Sequence, residues 1–132
     1  MRQYHVIGLM SGTSLDGLDI AFCLFTEKNG KWYFSVKAAD TITYTKEWLK
    51  KLQSAYLLGG QDILMLHNQY GEYLGKQVAR FTKTHHIKNA DFVASHGHTV
   101  FHRPEKKFTF QLGSGAAIAA ACKLPVVNDF RS

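Results

Sequence analysis

The sequence predicts an α/β fold built on a mixed sheet, and three observations carry that reading. Three strand-like segments follow one another at the amino terminus, separated by short turns, which is the pattern of an antiparallel meander. The apolar period then changes from two to between three and four and holds through a long amphipathic stretch. A short apolar run comes directly after that stretch, so it is a strand reached by a crossover, which implies parallel pairing.

The elements follow in order. Gln3 to Met10 (QYHVIGLM) is apolar and partly β-branched, as a buried strand is. Ser11 to Gly17 is dense in turn formers, and Leu18 to Thr26 reads as a second strand. Lys28-Asn29-Gly30-Lys31 has Asn-Gly at the centre of a hairpin, and Trp32 to Tyr44 is the third strand. Thr45 is placed to cap a helix with Trp48, Leu49, Leu52 and Tyr56 on one face, which Leu58-Gly59-Gly60 breaks. From Gln61 to about His85, Ile63, Leu64, His67, Tyr70, Leu74, Val78 and Phe81 form one stripe of a long helix. His67 is expected there as a packed histidine at the core edge rather than a ligand. Ala90 to Ser95 and Phe108 to Leu112 are short strands, Ala116 to Cys122 is an alanine-rich helix, and Leu124 to Asn128 is the last strand. The order βββ-α-α-β-β-α-β adds parallel strands to a meander through helices packed on the sheet. No internal repeat or low-complexity segment interrupts it.

Composition bounds the class. The 132 residues are one domain's worth of chain, and 45% apolar with 20% charged residues exclude a disordered protein. No apolar run approaches the roughly 20 residues of a membrane helix. Met1-Arg2-Gln3-Tyr4 leads straight into a strand, without a signal-peptide apolar region. Cys23 and Cys122 lie in apolar segments and read as small buried hydrophobes, so a reducing, cytoplasmic compartment is expected. Sixteen Lys and Arg against ten Asp and Glu give a net charge of +6, which suits nucleic acid, nucleotides or acidic sugars, or simply a solvated surface. The basic residues are scattered, with no basic helix and no aromatic platform, which counts against nucleic acid.

Four segments carry candidate chemistry. Gly12-Thr13-Ser14-Leu15-Asp16-Gly17-Leu18-Asp19 joins two strands, and such a turn can aim backbone N–H groups and hydroxyls at a phosphate. Asp16 and Asp19 could hold magnesium there. The segment is neither a Walker loop nor a dinucleotide fingerprint, and the same residues fill ordinary β-turns. Ser95-His96-Gly97-His98-Thr99, with His102-Arg103-Pro104 after it, falls at the carboxyl end of a parallel strand, where open α/β sheets place ligands. It reads as a binding site for a sugar hydroxyl or carboxylate, as a zinc site of His96, His98 and His102, or as hydrogen-bonding turn residues. Gln111-Leu112-Gly113-Ser114-Gly115 offers free N–H groups at a helix start, or merely tight packing. Arg131, beside Asp129 and Phe130, can clamp an anion.

Taken together these segments resemble the anhydro-N-acetylmuramic acid kinases. Gly8-Leu9-Met10-Ser11-Gly12-Thr13-Ser14-Leu15-Asp16-Gly17-Leu18-Asp19 looks like that family's opening signature. Ser95-His96-Gly97-His98-Thr99, His102-Arg103-Pro104, Gln111-Leu112-Gly113 and Val126-Val127-Asn128-Asp129-Phe130-Arg131 follow in the family's order. The resemblance implies an actin-like (ribonuclease H-like) lobe and a bacterial cytoplasmic enzyme of cell-wall recycling. Such an enzyme uses ATP and Mg2+ to convert the 1,6-anhydro-sugar to N-acetylmuramic acid 6-phosphate. It implies that Gly12, Thr13, Ser14, Leu15, Asp16, Gly17, Leu18 and Asp19 cradle ATP phosphates. It also implies that His96, Thr99 and Arg131 contact the sugar. His98 stands where the family more usually has Gln, and Ser114-Gly115 where an Asn-Pro-like pair is common. Met10 to Thr13 occupy the usual place of the superfamily's metal-binding Asp, which leaves Asp16 as the candidate magnesium partner.

Family members continue past the Asp-Phe-Arg segment, so residues 1–132 are expected to be the amino-terminal lobe of a two-lobe kinase, inactive alone. The water-activating Asp is expected beyond Ser132. The partners implied are ATP and the anhydro-sugar, with a homodimer suggested by the family and neither nucleic acid nor membrane. The competing expectation is a non-catalytic nucleotide- or sugar-binding fragment of a truncated or split gene.

Overall fold

A computed structural model describes all of residues 1–132. The meander forms as expected: β1 (Arg2–Ser11), β2 (Leu18–Lys28) and β3 (Lys31–Ile42) pair antiparallel, with Asn29-Gly30 turning the second hairpin. The third strand stops at Ile42 rather than Tyr44. Ile42 pairs with Leu18, the first residue of β2, so beyond it β3 has no strand to bond. Tyr44 turns inward instead and is buried.

Helix α1 (Lys46–Ser54) is capped by Thr45, whose hydroxyl accepts from the Trp48 N–H at 3.2 Å. A 3-10 turn at Ala55–Leu57 ends it. The tighter turn carries Ala55 into the core and leaves Tyr56 exposed, so Tyr56 does not share the face of Leu52. Helix α2 (Gly60–Thr84) buries Leu66, Tyr70, Leu74, Val78 and Phe81, one stripe at spacings of four and three. Leu64 lies two residues, about 200° of helical turn, from Leu66 and is 60% exposed.

Strand β4 (Phe92–Arg103) is twice the length expected and runs through the histidine motif. Its first half pairs parallel with β1 and, at Val93 and Ala94, with β6 (Val126–Val127). Its second half, from His98 to Arg103, pairs antiparallel with β5 (Phe108–Leu112), which gives it the partner that carries it onward. β6 is shorter than the expected Leu124 to Asn128, since only Val126 and Val127 pair with β4. The sheet order is β3-β2-β1-β4-β5, with β6 beside β4.

Helix α3 (Gly115–Cys122) starts one residue early, because the Ser114 hydroxyl caps the Ala117 N–H at 3.2 Å. It lies directly on α2. A Cβ on Gly75 would stand 2.5 Å from the Ala121 Cβ, so only glycine permits this approach. The core is one cluster: Ile7, Leu9, Ile20, Val93 and Leu112 from the sheet meet Leu52, Tyr70, Leu74 and Ile118 from the helices. Each fully buried Leu, Ile or Phe contributes about 1.5–3 kcal/mol. The opposite sheet face carries Tyr4, Phe25, Trp32 and Phe92 around an open depression of about 470 Å³ lined by no helical residue. Cys23 lies in that depression, and both cysteines are free and half-buried rather than core residues. No helix is long and apolar enough to cross a membrane.

Candidate functional site

The site is set by a change of parity in β4. Ile7 pairs with Val93 and Leu9 with Ser95, but Ser11 pairs with His98, so two residues of β1 face three of β4. The extra residue is a bulge at Gly97, whose φ of +74° suits glycine; a Cβ there would stand 2.6 Å from the Leu112 carbonyl oxygen. An unbulged strand would send His98 to the face opposite Ser95. The bulge instead turns His98 in beneath β1 and puts His96 and Thr99, three residues apart, within reach of one side chain. That side chain is Arg131: its Nη1 donates to Thr99 Oγ1 at 3.3 Å and lies 3.4 Å from His96 Nε2. Gln111 Nε2 also donates to Thr99 Oγ1, at 3.4 Å. With its oxygen accepting from both, the Thr99 hydroxyl keeps its own hydrogen for a ligand.

The loop from Gly12 to Gly17 leaves β1 at this level. A single backbone hydrogen bond, Leu15 N–H to Gly12 O at 3.1 Å, crosses it. The N–H groups of Thr13, Ser14 and Asp16 have no partner in the protein. Thr13, Ser14 and Asp16 are exposed, whereas Gly17 and Leu18 are buried and Leu15 packs on the core. The expected cradle is therefore divided: its middle offers donors, and its far end anchors it. Asp19 is exposed at the start of β2, where one carboxylate oxygen accepts from Thr41 Oγ1 at 2.7 Å. A groove of about 580 Å³ on the open sheet face runs from Met10 and Asp19 to His96 and Phe130.

The zinc reading of the histidines does not hold. His96 Nδ1 is 3.1 Å from the Gly97 carbonyl oxygen, His98 Nδ1 lies 3.0 Å from Ser11 Oγ, and His102 Nδ1 lies 3.2 Å from Thr109 Oγ1. No three His, Cys, Asp or Glu side chains converge as a metal cluster. The strand's alternation and its bulge separate the three rings. The segment is also no turn, since β4 continues through it.

His67 behaves as a packed histidine of the core edge. Its Nδ1 accepts the Gly113 N–H at 2.9 Å and its carbonyl accepts the Ser114 N–H at 3.0 Å, so α2 holds the start of α3. Burial pushes the imidazole pKa down. Between α2, β4, β5 and the segment after β6 lies a polar cavity of about 370 Å³ lined by His67, Ser95, His96, Gln111 and Asn128. The buried Ser95 hydroxyl has no partner in the protein.

Sequence reasoning missed a buried polar chain under the loop. Tyr44 OH donates to Ser11 Oγ at 2.6 Å and meets Tyr70 OH at 2.6 Å. Burial pushes the pKa of Tyr44 up and that of Tyr70 well above the usual phenol value; burial also takes Tyr73, packed beside both rings, up to about 12. Burial, reinforced by neighbouring His96, lowers the pKa of His98, although the Ser11 backbone favours the protonated ring. One signal was available: Ser11 follows Ile7 and Leu9 at the inward period of two, so a polar group there needs a buried partner.

The sequence model of the family described as anhydro-N-acetylmuramic acid kinase matches residues 4–132. Curated relatives carry the same description. The protein of Pseudoalteromonas translucida is 30% identical, the match covering 96% of this chain and 35% of the relative. That of Paramagnetospirillum magneticum is 35% identical over 96% of this chain and 35% of its own length. That of Mannheimia succiniciproducens is 36% identical over 99% and 36%. The chain thus spans about a third of the length of these relatives.

Proposed function

The chain belongs to the anhydro-N-acetylmuramic acid kinase family, and from that premise we propose that it forms the amino-terminal, actin-like lobe of an ATP-dependent sugar kinase. The reaction proposed for the whole protein converts 1,6-anhydro-N-acetylmuramic acid, ATP and water to N-acetylmuramic acid 6-phosphate. The carrying observation is that a loop of unpartnered N–H groups and an Arg131–Thr99–His96 cluster rise from neighbouring strands at one level, since Ser11 pairs with His98.

Phosphoryl transfer needs positioning and charge neutralisation more than covalent chemistry. The N–H groups of Thr13, Ser14 and Asp16, with the two hydroxyls, supply donors for phosphate oxygens. Thr99 supplies a hydroxyl hydrogen and Arg131 a cation for the sugar side, where the cyclic ether and an acidic side arm need orienting. The residues also fit magnesium: the Asp16 carboxylate is exposed and unpartnered, and magnesium is held by one or two carboxylates with phosphate oxygens and waters. When bound with ATP, magnesium neutralises charge on the phosphates. The water-activating Asp is assigned to the part of a relative's length that these residues do not cover.

The test is kinetic. In a chain of the relatives' full length carrying this lobe, Thr99→Val and Arg131→Gln are expected to raise KM for the anhydro-sugar about tenfold or more while KM for ATP stays within about twofold, as for loss of a charged or buried hydrogen bond. A change confined to ATP would overturn the assignment. The 132 residues alone are expected to give no turnover, and appreciable turnover would overturn the lobe reading.

A further inference from the structure

We propose that His98, acting through Ser11, is a positioning residue that fixes the root of the Gly12–Gly17 loop; the proposal rests on the kinase reading only for what the loop binds. The geometry is a chain of four buried groups from four regions of the fold: Tyr70 on α2, Tyr44 after β3, Ser11 at the end of β1 and His98 on β4. Its links are 2.6, 2.6 and 3.0 Å long.

The chain runs in one direction. Tyr44 spends its one hydroxyl hydrogen on Ser11 Oγ, so in the 2.6 Å contact between the two phenols the fully buried Tyr70 donates to Tyr44. Tyr44 donates to Ser11, and the Ser11 hydrogen is then left for His98 Nδ1. Three hydroxyl hydrogens meet three acceptors. His98 must therefore present a bare Nδ1, with its ring hydrogen on Nε2. Ser11, 3% exposed and committed at both ends, is no nucleophile.

The chain grips both roots of the loop. Ser11 immediately precedes Gly12, the acceptor of the loop's one internal hydrogen bond. Tyr44 lies two residues past Ile42, which pairs with Leu18 where the loop ends. Protonation of His98 would set a donor against the Ser11 hydroxyl and loosen both. The titratable groups facing the chain are His96 on β4, Tyr70 and Tyr73 on α2, and Asp19 on β2, which acts on Tyr44; the β5 residue paired with His98 is the apolar Leu112. Burial keeps His98 neutral at pH 7.

The experiment is amide NMR on the 132-residue chain between pH 8 and pH 5. In the unsubstituted protein the amides of Gly12 to Gly17 should shift with the midpoint of the His98 ring, while those of Asn29 and Gly30 in the distant hairpin should not. His98→Gln, which keeps a neutral acceptor, should abolish that titration and leave loop hydrogen exchange as it was. His98→Leu, which removes the acceptor, should speed exchange of the Leu15 amide about five- to tenfold, as the loss of one hydrogen bond does, with β1–β2 amides still protected. Should the Leu variant not fold, Ser11→Ala is read in the same way. Loop amides indifferent to the His98 titration, or exchange unchanged in Leu and Ala variants, would overturn the proposal. Adding ATP with magnesium to the unsubstituted chain tests the other reading separately: no response of the loop to ATP with the His98 coupling intact would sink phosphate binding and leave the positioning role standing.

Discussion

Between Gly12 and Gly17 one backbone hydrogen bond crosses the loop, and Thr13, Ser14 and Asp16 face solvent. Between Ser95 and Thr99, one strand level away, three of five residues are buried and the backbone lies between β1 and β5. The first segment keeps donors free with few internal contacts; the second fixes side-chain directions through packing. Under the kinase reading proposed above both properties are needed, free donors on one side and fixed side chains on the other. The two segments meet where Ser11 Oγ lies 3.0 Å from His98 Nδ1.

The largest effect that would sharpen this contrast is a matched pair of glycine substitutions. Gly97→Ala meets a φ of +74° and a carbonyl oxygen 2.6 Å from its Cβ. Left-handed strain and overpacking together should cost about 2–4 kcal/mol, a fall in Tm of about 10 °C. Gly12→Ala places its Cβ 3.5 Å from Ser14 Oγ, an ordinary contact, and should change stability by less than about 0.5 kcal/mol. Thermal melts of the two variants side by side decide it; equal losses would mean that the loop is as tightly built as the strand.

A middle-sized effect is expected from acid. His67 and His98 both have burial-lowered pKa values in the folded chain, while an unfolded histidine titrates near 6.5. As pH falls below about 6.5 the unfolded state binds protons that the folded state refuses, so stability declines until the lower folded values are passed. His98→Gln should remove its share of that decline, and substitutions in the Gly12–Gly17 loop should leave it intact. Denaturant midpoints measured from pH 8 to pH 5 test this, and a flat profile in the unsubstituted chain would contradict it.

What the sequence made legible follows the same division. Asn29-Gly30, Thr45 and the stripe through Tyr70, Leu74 and Val78 act through local propensity and period, and each appears where the chain indicates it. The loop was legible because Gly, Ser, Thr and Asp announce turns directly. The bulge was not. Its cause is the pairing of β4 with β1 on one side and β5 on the other, and no single strand displays its neighbours' register. Gly97 and the histidines around it therefore read as turn residues, with zinc ligation by His96, His98 and His102 as one alternative, and Tyr44 read as a strand's end. The early end of α1 and the exposure of Tyr56 and Leu64 likewise depend on which face the core takes.

The smallest structural effect bears on the most specific functional claim. Asp16 is exposed, has no hydrogen-bond partner and lies in the loose half, so Asp16→Asn should leave Tm within about 1 °C. In a full-length chain the same change removes a charge from the candidate magnesium site, and a site that depends on one carboxylate should need about tenfold more magnesium for half-maximal turnover. Asp19→Asn makes the informative control, because that carboxylate is partly committed to Thr41 at 2.7 Å. A magnesium requirement that shifts with Asp19 and ignores Asp16 would move the metal out of the loop and onto the start of β2. That outcome would reverse the comparison, since the ion would then rest on a strand with a fixed partner rather than on the exposed loop.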